Sequence, residues 1–477
     1  MRARIRSIGL AIATASFVAA SAVVGAACGD DGSERATFPV DSGTDGANLP
    51  PDGTVDAGPT LDARPPFDPK DEPVTCAATP CVVQLVAGFD HFCALLSDGT
   101  VRCWGDDVWG QLGHGEPGET PPGLGIPPVV RLSDVTQISA AARTTCARLS
   151  DGSVQCWGSN FMGELGLDPI GVSDEVPHPI PTPVALDGAA VTRIDVGQWN
   201  VCAALADGQL SCWGNDEHLK LVRPDGGGPG DGMPVILGPG IAELDPSVIA
   251  TSYGGTRTML ALTKSGEVLS WGAIAGDDGL VSGRISSKSP DLEPQKIEEL
   301  AHVTSIAVSP ILWRESMAKE SGDHRPGNPG APPHAHACAI ANGEVYCWGH
   351  SFTGALCNGL PDKQQQPVLA PVSATAWPQQ VAVGDETTCL RMTDGTVMCC
   401  GEDTNGALGK GEVTGFGAFF ARASSFTKHA VHLAASNSAI CALVQGGTVE
   451  CWGGNRRGEL GFAADNDPHP TPTKVAF

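Results

Sequence analysis

The sequence lacks the short motifs that identify the common enzyme classes. It contains no GxSxG nucleophile turn, no HExxH zinc helix, no GxxxxGK[ST] phosphate loop and no dinucleotide-binding glycine pattern. Its histidines are mostly scattered, and a lone histidine in a loop is usually solvated. We therefore predict no cofactor, and we favour a non-enzymatic function while leaving an enzymatic one open.

Positive charge is also scarce. The chain has 29 Lys and Arg residues against 54 Asp and Glu, a formal net charge of −25, and the basic residues form no cluster. Binding to a phosphate backbone depends on such clusters, so the composition argues against a nucleic-acid partner. Acidic charge can simply maintain solubility, so it identifies no other partner.

What the sequence does contain is a repeated frame. The stretch HFCALLSDGTVRCWG, residues 91–105, recurs with variations in seven copies. Each copy ends in Trp-Gly except one, in which Cys replaces the Trp. A spacing of 52 to 77 residues between copies is typical of repeat proteins, whose single units cannot bury their apolar face alone. The copies are centred on Trp104, Trp157, Trp213, Trp271, Trp348, Cys400 and Trp452.

Each copy predicts four short strands. The apolar segments are short, rich in Val, Ile and Leu, and separated by Gly, Pro, Asp and Ser. The chain is therefore predicted to be all-β, a seven-bladed β-propeller of four-stranded antiparallel blades over residues 76–477. The first copy lacks an upstream strand, whereas PTPTKVAF at the C-terminus lacks a partner. We expect residues 470–477 to close the ring against the N-terminal blade.

The cysteines of the first copy indicate a disulfide-bonded hairpin. If Cys93 lies opposite Cys103, a three-residue loop remains, in which Gly99 can adopt the left-handed conformation. Directly opposite residues in a non-hydrogen-bonded antiparallel pair lie within disulfide range.

Two other copies test this pairing. In the fifth copy the cysteines are nine residues apart, and Asn342-Gly343 forms a two-residue turn signal that keeps them opposed. In the fourth copy both positions change together, to Leu260 and Ser270. We predict six hairpin disulfides, Cys93–Cys103, Cys146–Cys156, Cys202–Cys212, Cys338–Cys347, Cys389–Cys399 and Cys441–Cys451.

Four further cysteines lie outside the hairpins. Cys76 and Cys81 are close enough in sequence to clip the segment before the first strand. Cys357 replaces a glycine of one repeat and Cys400 replaces the Trp of the next, so they form either one bond between blades or two buried thiols. A zinc site is disfavoured because no CxxC pair occurs.

The remaining cysteine, Cys28, follows a predicted signal peptide over residues 1–27. Three arginines precede an Ala-rich apolar stretch and a run of small residues. The run resembles a bacterial lipoprotein lipobox, which would make Cys28 the lipidated residue of an exported protein. Gly25 departs from the usual large aliphatic residue, so ordinary cleavage after Ala27 stays open. Export agrees with the abundance of cysteine pairs.

Residues 28–75 are predicted to form a disordered tether. The segment is acidic, rich in Pro, Gly and Asp, and nearly free of aromatic residues. Such a chain would hold the propeller clear of a membrane surface, and no later segment is long and apolar enough to span a bilayer.

The repeated frame resembles the repeat of the regulator-of-chromosome-condensation family. The pattern CAL..DG.V.CWG is followed by GQLG at 110–113, GELG at 163–166 and 458–461, and GALG at 406–409. The resemblance covers about 400 residues and implies a seven-bladed propeller. Members of the family include a nuclear nucleotide-exchange factor, a plant ultraviolet receptor and a secreted bacterial β-lactamase inhibitor, so it implies no single function. Export and acidity argue against chromatin binding.

The variable loops indicate where a partner would bind. The Ser-Asp-Gly tips are uniform, whereas the loops at the opposite end of the blades change from copy to copy. Exposed aromatic and Arg side chains concentrate binding energy, so we predict a site on this end centred on blades three to five. Its candidate residues are Trp199 and Trp313 as apolar anchors, Arg257 and Arg314 as polar ones, and also Phe89, His91 and Arg143.

A metal site is not predicted, although His334 and His336 alternate in a Pro-rich insertion and are weak candidates against a flexible surface loop. We interpret the protein as an exported, membrane-anchored, monomeric scaffold in the cell envelope that binds a protein or a glycan. A soluble secreted or periplasmic form is the alternative location. The alternative functions are a hydrolase or lyase with a site in the central channel, and a structural protein of the envelope.

Overall fold

The computed structural model confirms an all-β protein with seven antiparallel blades in a ring. It describes residues 64, 66–68, 72–118, 125–226, 235–245, 247–254, 258–273, 281–288, 290–309, 335–351, 353–360 and 362–477. The compact unit begins at Leu61. Within the described residues no helix is long and apolar enough to cross a membrane.

The strands follow one another from the inside of each blade to its outside. Blades one to three contain β1 (Val82–Ala87), β2 (His91–Leu96), β3 (Val101–Gly105), β4 (Val135–Ala141), β5 (Thr144–Leu149), β6 (Val154–Gly158), β7 (His178–Pro183), β8 (Val191–Val196), β9 (Asn200–Leu205), β10 (Leu210–Asn215) and β11 (Ile236–Ala242). Blades four and five contain β12 (Val248–Gly254), β13 (Thr258–Thr263), β14 (Val268–Gly272), β15 (Asp291–Lys296), β16 (Val303–Val308), β17 (His336–Ala341), β18 (Glu344–Gly349) and β19 (Gln364–Ala370). Blades six and seven contain β20 (Pro378–Val383), β21 (Thr387–Met392), β22 (Val397–Glu402), β23 (Phe416–Arg422), β24 (Ala430–Ala435), β25 (Ala439–Val444), β26 (Val449–Gly453) and β27 (His469–Lys474).

The first blade has an incomplete outer strand. Its sheet contains β1, β2 and β3, and the fourth position is held by a single bridge between Arg102 and Pro128. A 3-10 turn lies over Glu217–Leu219 in the third blade.

The hairpins have the predicted register. Cys93 lies opposite Cys103, and Gly99 has a φ of +80° in the three-residue loop. In the fifth blade Asn342 and Gly343 have φ values of +51° and +79°, which a type I′ turn requires. In the fourth blade Leu260 pairs with Ser270, as the joint loss of both cysteines predicts.

The six predicted hairpin disulfides are present, together with two further ones. The six hairpin pairs have Cα–Cα distances of 4.1 to 4.2 Å, the close spacing of non-hydrogen-bonded antiparallel pairs. Cys76 bonds Cys81, and Cys357 bonds Cys400. The bond between blades is therefore the alternative that the structure adopts.

The C-terminal strand closes the ring by packing rather than by strand exchange. β27 pairs with β26 as the outer strand of its own blade, the seventh. Beyond it, Val475 joins the apolar cluster that contains Trp104 of the first blade, and the Phe477 ring lies edge-on to that indole at 5.6 Å. Contact with the N-terminal blade is thus made by side chains, whereas the hydrogen bonds stay within the seventh blade.

Part of the predicted tether is bound to the propeller. The Arg64 guanidinium lies 3.5 Å from the centre of the Trp377 ring, and its Nη2 is 2.6 Å from Oε1 of Glu344. Phe67 also packs against Trp377, at a ring distance of 5.7 Å. The prediction of a free tether up to residue 75 needs correction, because aromatic and ionic contacts hold these residues at the tips of blades five and six.

Candidate functional site

The variable ends of the blades form one surface, which we call the loop face. It consists of the loops before the second strand and after the third strand of each blade, because those strand ends are paired, as at His91 and Gly105. The uniform hairpin turns, such as residues 97–99, form the opposite tip face.

The loops after the third strand are built on a buried Asp or Asn. Asp107 Oδ1 accepts a hydrogen bond from the Leu112 amide at 2.9 Å, and its Oδ2 accepts one from Gly118 at 3.1 Å. Burial raises the pKa of this carboxyl to about 7. The same acceptor role is filled in other blades by Asn160, Asp216, Asp403 and Asn455. These side chains shape the loops and are not available to a ligand.

Neighbouring blades are joined by the repeated tryptophans. Each indole is buried, and its Nε1 donates a hydrogen bond of 2.8 to 2.9 Å to a backbone carbonyl in the turn of the preceding blade. The acceptor carbonyls belong to Glu459, Gln111, Glu164, Lys220, Val281 and Ala407. The bond from Trp104 to Glu459 joins the first blade to the seventh and completes the ring.

The sixth blade replaces this hydrogen bond with a covalent one. Cys400 occupies the Trp position and bonds Cys357, which holds the last position of the turn in the preceding blade. Cys357 has a φ of +56°, a left-handed conformation that glycine takes at five equivalent positions and Val222 takes in blade three. The two deviations from the repeat therefore compensate each other.

At three of the described blade junctions, a pair of residues from neighbouring blades meets on the loop face. One residue of the pair precedes the first glycine of the turn after the third strand, as Trp109 precedes Gly110. The other precedes the second strand of the next blade, as Arg143 precedes β5. Arg143 lies 5.9 Å from the centre of the Trp109 ring. Arg457 lies beside Asp90, where its positive charge only partly offsets the rise in the Asp90 pKa that burial causes. Thr353 donates to the Glu386 carbonyl at 3.4 Å. The pair changes chemistry from one junction to the next while its position stays constant.

The junction of blades seven and one contains three crowded carboxyls. Asp106 and Glu459 are buried, and Asp90 is half-buried. Burial and the neighbouring acids raise the pKa of Asp90 to about 7 and that of Glu459 to about 8. Asp106 accepts a 2.7 Å hydrogen bond from Gln111, and its Oδ1 is 3.8 Å from Arg457 Nε. At neutral pH this cluster retains protons.

Apolar side chains are exposed on the loop face of blades one to three. Val108 and Phe161 occupy equivalent positions and are 46% and 40% exposed. Trp199 is half-buried, and the Lys220 ammonium lies 5.9 Å from its ring centre. Val108 and Phe161 were missed from the sequence, although aligning the residues after each Trp-Gly would have revealed this variable position.

Two predicted binding residues point away from solvent. Phe89 is buried against Ala142, and His91 is fully buried with Nε2 2.9 Å from the Thr145 hydroxyl. Burial also lowers the pKa of His91 to about 3, so its ring is neutral. Both residues lie on the correct end of the blade, but their side chains pack between blades and cannot contact a partner.

The other predicted site residues divide into described and undescribed ones. Trp199 and Arg143 lie on the loop face and are partly exposed. Arg257, Trp313, Arg314 and His334 lie outside the described residues, as does Cys28. His336 begins β17, is buried and lies 2.8 Å from the Thr388 hydroxyl, so its assignment to a surface loop is wrong. Among the described residues no group of three or more metal-ligating side chains is assembled.

The described part of the central channel is lined mostly by small apolar side chains, with backbone polar groups exposed between them. The inner strands surround a cavity of about 290 Å³ lined largely by Leu, Val and Ala. Glutamine amides bridge adjacent inner strands, as Gln84 does by both donating to and accepting from the backbone of Ile138 at 2.9 Å. The described lining therefore stabilises the ring and offers few polar groups, among them Gln198, Ser309 and His432.

Comparison with known proteins agrees with this architecture. Residues 82–111, 135–164 and 379–407 match the family model described as the regulator of chromosome condensation (RCC1) repeat. The ultraviolet-B receptor UVR8 of Arabidopsis thaliana is 26% identical over 358 residues, covering 69% of this chain and 79% of that protein. Protein pim1 of Schizosaccharomyces pombe is 30% identical over 210 residues, 41% of this chain and 37% of that protein.

Solved structures show the same fold at low identity. The crystal structure of Prp20p from Saccharomyces cerevisiae is similar with a TM-score of 0.62 and 17% identity, covering 83% of this chain and 88% of that one. Human WBSCR16 gives a TM-score of 0.57 at 19% identity, with 78% and 94% coverage. The matched repeats and these relatives support the regulator-of-chromosome-condensation repeat family for this seven-bladed propeller.

Proposed function

We propose that the protein is an exported, lipid-anchored scaffold that binds a protein partner through its loop face. The observation that carries the proposal is the contrast between a constant framework and variable blade junctions. The indole hydrogen bonds and buried Asp or Asn side chains repeat from blade to blade, whereas the pairs Arg457–Asp90 and Trp109–Arg143 do not. A constant frame with variable exposed residues suits specific recognition.

The exposed apolar residues support a protein as the partner. Val108, Phe161 and half-buried Trp199 lie on successive blades of one face, and large exposed apolar side chains commonly mark protein interfaces. Prp20p, which has the same fold, has been characterised for its binding to Gsp1p and histones. For the present chain a glycan is the competing ligand.

The N-terminal segment is attached away from the loop face. Arg64 contacts Glu344 and Trp377 at the tip face, on the side of the propeller opposite the loop face.

Site-specific photocrosslinking tests the binding face. A photoreactive amino acid at Phe161 should crosslink to one defined protein in the intact envelope, whereas the same group at Asp151, on the tip face of the same blade, should not. The crosslinked protein is then identified by mass spectrometry. Equal crosslinking from both positions, or crosslinking from Asp151 alone, would refute the loop-face site.

Affinity measurements with the identified partner test the residues. Trp199→Ala should weaken binding by about 2 kcal/mol, the usual cost at an aromatic hot spot. Asp151→Ala is the matched control and should leave the affinity unchanged. If the site extends to blade five, Trp313→Ala should weaken binding by the same amount as Trp199→Ala.

Fractionation tests the anchor separately. The wild-type protein should incorporate a labelled fatty acid and sediment with membranes, whereas Cys28→Ala should do neither. A soluble wild-type protein with a free Cys28 thiol would disprove lipidation. Binding through the loop face would still be tested independently by the crosslinking experiment.

A further inference from the structure

Blades two and seven build the loop after the third strand on the same hydrogen bonds. In blade two, Asn160 Nδ2 donates to the Val172 carbonyl at 3.0 Å and to Oδ2 of Asp174 at 2.9 Å. Oδ1 of Asp174 lies 2.9 Å from Nε2 of His178. The equivalent contacts in blade seven, at 2.9 to 3.2 Å, are made by Asn455, Ala463, Asp465 and His469. The two loops therefore share one frame.

The outward positions on this frame differ between the two blades. In blade two, three of them carry large apolar side chains that are 40%, 43% and 60% exposed, those of Phe161, Val172 and Val176. The equivalent exposed residues of blade seven are Arg456, Ala463 and Asp467. Blade seven forms the frame with charged and small residues, so the fold of the loop does not require large apolar side chains at these positions. Their presence in blade two indicates a binding role.

The blade-two loop also contains an insertion. It is four residues longer between the two groups that the asparagine joins, 160–172 against 455–463. Within the insertion, Oδ1 of Asp168 accepts the amides of Ile170 and Gly171 at 2.9 and 2.8 Å. This turn holds Ile170 at the surface with 81% of its side chain exposed, more than any other large apolar residue that the structure describes.

The insertion rests on the outer strand of blade three. A β-carbon at Gly171 would lie 2.7 Å from the Ile236 carbonyl oxygen, and one at Gly238 would lie 2.3 Å from the Asp168 carbonyl oxygen. The two backbones are thus in close contact, and the loop is supported from below. A supported loop loses little conformational freedom when a partner binds, which favours affinity. We call Phe161, Ile170, Val172 and Val176 the blade-two ridge.

The charges on the ridge are acidic. Asp168, Asp174 and Glu175 lie among its apolar residues, and residues 149–192 contain no Lys or Arg. Opposite charges around an apolar contact speed association and suppress binding of the wrong partners. A second copy of this chain, with its net charge of −25, and an anionic membrane would both be repelled. Charge complementarity therefore favours a basic partner.

We propose that the blade-two ridge binds a basic segment of a partner protein. Apolar side chains of that segment pack against Ile170 and its neighbours, and its Lys or Arg side chains pair with Asp168 and Glu175. The ridge is part of the loop face, so this inference rests on the proposed function and specifies the chemistry of the partner.

A phage-displayed library of random twelve-residue peptides tests the apolar contact with the full-length protein. Peptides enriched on the wild type should combine large apolar residues with a net positive charge. A synthetic enriched peptide should bind Ile170→Ser and Phe161→Ser at least roughly tenfold more weakly. Ile170→Ser should fold, because the side chain is mostly exposed. Arg456→Ser, at the position of blade seven equivalent to Phe161, is the matched control and should bind within about twofold of the wild type.

Salt dependence tests the charges. Glu175→Gln should weaken binding of the same peptide about threefold at low salt, and the difference should vanish at about 0.5 M NaCl, where charges are screened. Asp151→Asn removes one charge from the tip face of the same blade and should bind like the wild type.

The proposal is overturned if no peptide is enriched, if the enriched peptides are not basic, or if Ile170→Ser binds like the wild type. Ile170→Ser could also abolish a wild-type dimer in light scattering or cosedimentation with phosphatidylcholine vesicles. Either result would place a second copy or a membrane on the ridge and would overturn the proposal too.

Crosslinking from Ile170 in the intact envelope separates this inference from the proposed function. The crosslinked segment of the partner should be basic and apolar. A crosslink to an acidic segment would overturn the inference and leave the loop face as the binding site, whereas the absence of crosslinks from both Phe161 and Ile170 would refute the proposed function itself.

Discussion

Single residues at the blade junctions carry much of the chemistry of this protein. Neighbouring blades meet at equivalent positions, but different groups join them there. These groups include a tryptophan that donates a hydrogen bond, a disulfide and a cluster of carboxyl groups. Glu459 illustrates this variation. Its carboxylate accepts the Arg457 amide at 2.7 Å, the role that the Gln111 side chain plays for Trp109 at the next junction. Gln111 therefore accepts the same backbone hydrogen bond as Glu459, but its side chain cannot ionise.

Replacing Glu459 with Gln should therefore change how stability depends on pH. Burial and Asp90 raise the pKa of Glu459 from 4.5 to about 8. The folded state binds this proton more tightly than the unfolded state, so its contribution is complete below about pH 4.5 and is lost as pH rises toward 8. Glu459→Gln should match the wild type at low pH and be more stable at pH 9, by on the order of 2 kcal/mol.

Denaturant unfolding across this pH range provides the measurement. The converse variant, Gln111→Glu, places an acid beside Asp106 and should lose stability as pH rises. Parallel pH profiles for wild type and Glu459→Gln would show that the carboxyl is ionised in the folded protein.

The disulfide between Cys357 and Cys400 offers a second residue-scale test. Cys357→Gly combined with Cys400→Trp restores the glycine and the indole of the other junctions. The double variant should fold, and reductant should lower its melting temperature less than that of the wild type, because one fewer disulfide between blades can be reduced. Cys400→Trp alone should be less stable than the double variant, since Cys357 keeps a side chain where the indole must pack. Equal stability of the two variants would contradict this account.

At the scale of strands, the outer strand and the residues after it have different roles. β27 completes the hydrogen-bonded sheet of blade seven, and its Pro472 protects the edge. Val475 and Phe477 follow the strand and pack against blade one. The end of the chain thus stabilises both one blade and one junction.

Deletion of residues 470–477 should lower the melting temperature sharply. The deletion removes most of β27, the buried Val475 side chain and the contact between Phe477 and Trp104. Phe477→Ala is the control for the last contact, and it should cost about 1 kcal/mol because that ring is 38% exposed. Thermal unfolding followed by circular dichroism gives the comparison; an unchanged curve after the deletion would disprove the role of this segment.

At the scale of the whole molecule, the N-terminal segment crosses the tips of several blades. Arg64 and Phe67 contact Trp377, Glu72 lies 2.7 Å from His429, and the Thr75 amide donates to the Gln445 carbonyl at 3.0 Å. The segment then reaches the first strand through the Cys76–Cys81 bond. It links blades five, six and seven to blade one from the tip side, in addition to the Trp104 hydrogen bond.

Limited chymotrypsin digestion should reveal this attachment. Phe67 packs against Trp377, so cleavage after Phe67 should be slow in the wild type and faster in Trp377→Ala, whose ring no longer holds this side chain. Trp199→Ala changes an aromatic residue on the other face and should cleave at the wild-type rate. Mass spectrometry of the fragments measures the rates; equal rates in all three proteins would show that the segment is already released.

The sequence by itself determined the number of blades, the hairpin register and the cystine pairs. These features depend on neighbours along the chain: turn length decides which residues face each other, and paired substitutions such as Leu260 with Ser270 follow from that geometry. The Cys357–Cys400 bond could be foreseen as an alternative because two repeats deviated at neighbouring blades. Local periodicity was sufficient for all of these predictions.

Only the tertiary structure decided which side chains of the loop face are accessible. Phe89 and His91 lie at the variable end of blade one, yet they are buried because the adjacent blade covers them. Val108 and Phe161 extend beyond that contact and are exposed. The docking of Arg64 on Trp377 joins residues 313 positions apart, which no periodicity reveals. Burial and accessibility depend on contacts between blades, and the chain determines these contacts only after the ring has closed.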